Sequence, residues 1–183
     1  FFGRQEELKK IKRKIQSVIK KKIPGSIFIQ GPPGIGKSFL VEESLSNFGK
    51  NSYRSILFPG NEISRDSFTP FISGLRECFN INGEDKLNNR RKQFYKNFDL
   101  LMGPSEMEGK EKAIKGFLGY LLGIEEVDNL PVSDPRKIYN GLLDSSLSFI
   151  NEISKNVPLI LILDDIQWYD YDSLKLLDIL MNN

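Results

Sequence analysis

Eight consecutive residues, Gly31-Pro32-Pro33-Gly34-Ile35-Gly36-Lys37-Ser38, constrain this chain more tightly than any other stretch. They match G-x-x-x-x-G-K-[ST], and their glycines and prolines exclude regular helix or strand over the loop itself. Ahead of them Ser26-Ile27-Phe28-Ile29-Gln30 is short, apolar and β-branched, which predicts a strand. Behind them, from Lys37 to Phe48, apolar residues recur at helical spacing through Leu40, Val41 and Leu45. Strand, glycine-rich loop and helix form the setting in which such a loop cradles phosphate. Glycines let successive backbone N–H groups turn inward, and the helix N-terminus adds its positive dipole end. A plain glycine-rich turn would not need Lys-Ser at the two helix-proximal positions. The candidate nucleotide-phosphate site is therefore Gly31, Pro32, Pro33, Gly34, Ile35, Gly36, Lys37 and Ser38, with Phe39 following in the first helical turn. Lys37 would neutralise β/γ-phosphate charge, and the Ser38 hydroxyl would ligate Mg²⁺.

The rest of the chain alternates helical and strand signals, the pattern of an α/β fold. Arg54 to Phe58 reads as a second strand, and Thr69-Pro70 as an N-cap and first helical residue, with Phe71, Leu75, Cys78 and Phe79 on one face. From about 80 to 133 the signals are helical only. One stripe runs through Leu87, Phe94, Phe98 and Leu101, another through Ile114, Phe117, Leu118 and Leu121, with Gly103-Pro104-Ser105 between them. This reads as a helical insertion whose Phe and Leu stripes are core rather than a cofactor pocket. Asp134-Pro135 opens a long helix carrying Ile138, Leu142, Phe149 and Ile153, and Pro158 marks its end. Leu159-Ile160-Leu161-Ile162-Leu163 is a continuous apolar run, as expected of a parallel strand covered on both faces. Asp172 is the predicted cap of a last helix through Leu174, Leu177, Leu180 and Met181.

Asp164 and Asp165 follow the apolar strand directly. Downstream of a phosphate loop they look like a Walker B element. Asp164 at the strand tip would hold Mg²⁺ together with Ser38, while Asp165 would accept a proton from the water attacking the γ-phosphate, or orient that water. The catalytic candidates are thus Asp165 and Lys37.

Composition removes other chemistries. The chain of 183 residues has no His and one Cys, so it cannot build a Cys/His zinc site, a Ser-His-Asp triad, a Cys-His pair or an internal disulfide. No Asn-Lys-x-Asp guanine-reading motif occurs. The longest apolar run is far shorter than the ~20 residues of a membrane span, and no signal-peptide pattern opens the chain. A cytoplasmic location is the expectation.

With these motifs in place, the chain resembles the STAND-type signal-transduction ATPases within the AAA-like P-loop proteins. Three segments carry the resemblance: Phe1-Phe2-Gly3-Arg4-Gln5-Glu6-Glu7-Leu8, the phosphate loop (Walker A), and Leu163-Asp164-Asp165-Ile166-Gln167-Trp168 with Asp170 and Ser173-Leu174 after it. Pro70-Phe71 to Leu75-Arg76 and Asn156-Val157-Pro158-Leu159 add to it, whereas residues 80 to 130 contribute little. The resemblance implies a P-loop NTPase fold of the additional-strand type, a parallel sheet flanked by helices. It implies ATP or ADP with Mg²⁺ as ligands, and it places Phe2, Gly3 and Arg4 at the adenine base. It further implies effector domains in the same polypeptide and nucleotide-dependent self-association. In that type a further strand, bearing a γ-phosphate sensor, inserts between the loop strand and the Walker B strand. The sequence ends at Asn183 ahead of any such strand, so the expectation is that residues 1–183 are the N-terminal portion of a larger ATPase module, incomplete at the C-terminus. The second acid is Asp where active AAA ATPases usually carry Glu, so slow hydrolysis is expected.

Three functions stay open on sequence: an ATP-binding, slowly hydrolysing signalling switch; a nucleic-acid-handling ATPase of replication-initiator type; and a non-hydrolysing scaffold. Gln167-Trp168 after the acids favours the first over the second, where Asp-Glu is more usual. Intact Lys37, Ser38 and Asp164 count against the third.

Residues 4 to 22 hold nine Lys/Arg against Glu6 and Glu7, a local charge of +7 in a chain of net charge +2. Leu8, Ile11, Ile15, Val18 and Ile19 run through the same stretch at helical spacing, which predicts a helix with one packed face and a solvated basic one. No aromatic residue interleaves to stack on bases, and the amides there are Gln5 and Gln16 alone. Affinity for duplex DNA, followed by fluorescence anisotropy, is expected to be weak, indifferent to sequence and steeply lost with salt. Tight, sequence-selective binding at physiological salt would instead promote the replication-initiator reading.

Overall fold

A computed structural model describes residues 4–49, 51–64, 66–103 and 108–182. Phe2 and Gly3, expected at the base, lie outside the described residues. The chain forms two compact units, Phe1–Ser55 with Val157–Ile160 and Ile56–Asn156 with Leu161–Asn183. It is helix-rich α/β, with one small two-stranded sheet among the described residues. None of the described helices is long and apolar enough to cross a membrane.

In the first unit, α1 (Gln5–Lys21) buries Leu8, Ile11 and Ile15 as their three- and four-residue spacing requires, leaving most of its lysines outward. Val18 and Ile19 are half-buried at the edge of that stripe. Glu6 and Glu7 in its first turn and Lys20 and Lys21 in its last complement the helix dipole. The helix packs on α2 (Lys37–Ser46), which buries Leu40 and Leu45. Tyr53 adds a hydroxyl bond to the Leu45 carbonyl at 3.3 Å.

The strand expected at Ser26–Gln30 does not form: these residues carry no regular structure, and Phe28 is 79% exposed. A strand exists through its ladder, because extended backbone must find partners for its N–H and C=O groups. Among the described residues the only ladder joins β1 (Arg54–Pro59) and β2 (Leu159–Asp164). The apolar, β-branched composition of Ser26–Gln30 suits a strand, but no neighbouring strand completes it. Among the described residues the sheet has two strands.

Arg54 N–H donates to the Pro158 carbonyl at 2.8 Å, and Gly60 N–H to the Asp164 carbonyl at 2.9 Å. The register advances equally along both strands, so they run parallel. β2 is half-buried along its whole length rather than covered on both faces.

The second unit is built on aromatic side chains. In α3 (Thr69–Cys78) Phe71 and Leu75 are buried, followed directly by Phe79. Phe79 meets Phe94 of α4 (Leu87–Met102) edge-on at 5.0 Å, and Phe149 of α6 (Pro135–Asn156) at 5.2 Å. Phe98 stacks on Phe149 at 5.9 Å. All four rings are fully buried, so the Phe stripes are core. Leu87 and Leu101 fall towards the edge of the α4 stripe, and Met102 takes a buried place instead. α5 (Glu108–Leu121) packs on α6 through a face that includes Phe117 and Leu118. No strand occurs between 80 and 133 among the described residues.

Capping differs from expectation at two helices. Thr69 is already helical, and the residue before it is Phe68, in left-handed backbone with φ 63°. The start of α7 (Tyr171–Asn182) is capped by Asp170, not Asp172: Asp170 Oδ1 accepts from Ser173 N–H at 2.8 Å and Oδ2 from the Ser173 hydroxyl at 2.7 Å. Asp172 instead accepts from the Tyr139 hydroxyl at 2.7 Å. Asp134 caps α6 as expected, accepting from Arg136 and Lys137 N–H.

Asp170 is buried and also accepts from Phe68 N–H at 3.0 Å, so its removal strands two buried backbone donors. Asp170→Ala is expected to cost about 2–4 kcal/mol in urea denaturation, and Asp172→Ala about 1 kcal/mol. The reverse order would return the cap to Asp172.

Candidate functional site

The phosphate-loop residues belong to the first unit. Ile35 N–H bonds the Pro32 carbonyl at 3.4 Å, closing a turn, and Leu40 N–H bonds the Gly36 carbonyl at 3.0 Å, beginning α2. Gly34 and Gly36 take φ of 75° and 86°, where a Cβ would be strained. Space is open at both missing Cβ positions. Gly36 is the cap of α2, offers no side-chain oxygen, and no acid occupies the first turn. These features fit an anionic ligand: a helix N-terminus with its dipole unopposed, approached by a loop whose backbone can come close.

Lys37 lies within this loop rather than in a core. Its ammonium donates to the Gly31 carbonyl at 3.1 Å and the Pro32 carbonyl at 3.3 Å, holding a positive charge against the turn. Ser38 and Phe39 follow in the exposed first turn, and Phe39 and Ile35 are large exposed apolar residues there. Arg4, expected at the base, sits at the N-cap of α1, where its carbonyl accepts from Leu8 N–H at 3.0 Å.

The two acids belong to the second unit. Asp164 is the last residue of β2, half-buried, and its Oδ1 accepts from Asp165 N–H at 3.2 Å. Asp165 is exposed and turns the chain with φ 50°. Its Oδ1 accepts from Gln167 Nε2 at 2.9 Å. Gly60, just beyond β1, makes this turn feasible: a Cβ there would lie 2.2 Å from the Asp165 carbonyl oxygen. Gly31 to Phe39 thus lie in the first unit, and Asp164 with Asp165 in the second. Among the described residues no three His, Cys, Asp or Glu side chains cluster as a self-sufficient metal site.

Three supporting residues have no structural role assigned in the sequence reading, Gly60, Tyr169 and Asp170, although Asp170 is among those that carry the resemblance. The Asp170-x-x-Ser173 spacing is a capping signal, and a Gly directly after a strand marks close backbone approach; both are readable in retrospect. Nothing in the sequence marks Tyr169, whose partner lies far away in the chain.

The family model of the AAA ATPase domain matches residues 1–183. No curated protein and no solved structure matches the chain.

Tyr169 is buried and donates its hydroxyl to the Phe58 carbonyl of β1 at 2.6 Å. Burial, and then the nearby Asp164 charge, hold its phenol far above the ordinary value. Burial and the bonds to Glu125 and Asp172 push Tyr95 and Tyr139 up to about 12. The folded chain thus keeps these protons at pH values where unfolded tyrosines, near 10, release them. Stability is full below about pH 10 and lost as pH rises towards 12. In denaturant melts across this range, Tyr169→Phe should make the alkaline loss shallower, and at neutral pH cost about 1–2 kcal/mol for the unpaired Phe58 carbonyl. An unchanged alkaline slope would refute the assignment.

Proposed function

The chain belongs to the AAA ATPase domain family, and from that premise we propose that it is the ATP-binding part of a slowly hydrolysing nucleotide switch of STAND type, within a larger signalling or regulatory protein. The observation that carries the reading is the loop of Gly31 to Ser38, with Gly34 and Gly36 in left-handed backbone ahead of α2 and Lys37 folded over it. That arrangement suits the β- and γ-phosphates of ATP or ADP. Ser38 and Asp164 would hold Mg²⁺, which when bound neutralises charge on the phosphate oxygens. Asp165 would accept the proton of the attacking water or orient it, and Lys37 would stabilise charge on the transferring group. Phe2, Gly3 and Arg4 would line the adenine. Residues 80–133 would be a helical insertion in the ATPase domain.

The finer part of the reading rests on residue chemistry. Asp165 is one methylene shorter than Glu, which supports slow turnover. Gln167-Trp168 after the acids supports a signalling switch over a replication-initiator relative, and so does the packed apolar face of α1. In this reading nucleotide state is relayed to effector domains in the same polypeptide and to nucleotide-dependent self-association.

Lys37→Ala should abolish ATP and ADP binding in calorimetric titration while changing unfolding free energy by no more than about 1 kcal/mol, since the ammonium bonds only loop carbonyls. Asp164→Asn should weaken only the Mg²⁺-dependent part of the affinity. Equal nucleotide affinity in Lys37→Ala and parent would remove the phosphate-loop assignment.

A further inference from the structure

We infer that Gln167 is a positioning residue that sets the direction of the Asp165 carboxylate. The inference rests on the reading of Asp165 as the group that receives the proton of the attacking water or orients that water. Asp165 is a non-glycine residue with φ 50°, so its side chain does not continue the alternation of β2 and leaves the strand in a direction fixed by the turn. That turn is anchored on both sides within the second unit. Upstream, Gly60 N–H bonds the Asp164 carbonyl, and the bare Cα of Gly60 lies against the Asp165 carbonyl. Downstream, Trp168 N–H bonds the Asp165 carbonyl at 2.9 Å and Tyr169 N–H bonds Ile166 at 3.0 Å, closing the short 3-10 turn Ile166–Trp168. The buried Tyr169 and Asp170 then secure the chain to β1 and to the start of α3.

On this fixed backbone Gln167 stands two residues beyond Asp165, and its Nε2 reaches Asp165 Oδ1 at 2.9 Å. An amide donor on one carboxylate oxygen restricts the side-chain torsions and leaves the second oxygen to face a reacting water. A solvated hydrogen bond of this kind contributes little to stability. For a short acid whose reach is limiting, its value lies in orientation.

The test is single-turnover ATP hydrolysis by the full-length protein, with ATP affinity and melting temperature measured on the same samples. Gln167→Ala should slow the chemical step about tenfold with affinity and melting temperature unchanged. Gln167→Glu, which keeps the shape and loses the donor, should fall at least as far. In an Asp165→Asn background, itself slowed about 100-fold or more, neither change should slow the step further. Parent-like rates in both Gln167 variants beside a slow Asp165→Asn would overturn the role of Gln167 and leave that of Asp165 standing. Losses that add to Asp165→Asn would likewise overturn it, since Gln167 would then act elsewhere. A parent-like rate in Asp165→Asn would remove both readings together.

Discussion

One buried carboxylate, Asp170, accepts hydrogen bonds from the backbone of Phe68 and from the backbone and hydroxyl of Ser173. Neighbours a hundred residues apart in sequence are joined through it. Burying an acid is unfavourable unless its oxygens are engaged, so the segment after β2 adopts the one path that delivers donors to both. Tyr169, immediately before it, is thereby directed inward to the Phe58 carbonyl. The short turn bearing Asp165 and Gln167 is what remains between this anchor and the end of β2. The arrangement of the acids therefore descends from polar satisfaction some residues away.

The aromatic core of the second unit works differently. Phe79 after α3, Phe94 and Phe98 of α4, and Phe149 of α6 come from three segments and meet ring to ring, so α4 and α6 share a core with the end of α3. Around its rim, the contacts are polar: Glu125 gathers Tyr95, Asn129 and Arg91 and ties the chain after α5 back to α4. The apolar rings provide burial; the rim contacts choose which helix faces meet.

Features governed by short-range chemistry were legible in the sequence. The glycines, Lys37 and Ser38 announced a loop and a helix start, the periodicity of Leu8, Ile11 and Ile15 announced a packed helix, and Asp134-Pro135 announced the start of α6. Features that depend on a distant partner were not. Ser26–Gln30 has the composition of a strand, yet strands are made by neighbours, and none is paired with it among the described residues. Asp172 and Asp170 are both plausible caps by position, and only the burial of Asp170 beside Phe68 decides between them. Phe2 and Gly3, expected at the base, stand outside the described residues.

Phe68 bears two demands that pull against each other. Its backbone is left-handed, at a cost of about 1–2 kcal/mol that glycine would avoid. Its side chain is 3% exposed and lies beside the Tyr139 ring, with centroids 6.1 Å apart, a place that glycine would leave empty. A β-branched residue would fill some of the volume and aggravate the torsion, while Asn would accept the torsion and bury an amide. The tolerance of this position to drift is accordingly narrow for a reason unrelated to nucleotide: no side chain in the genetic alphabet is both aromatic in bulk and indifferent to its own backbone.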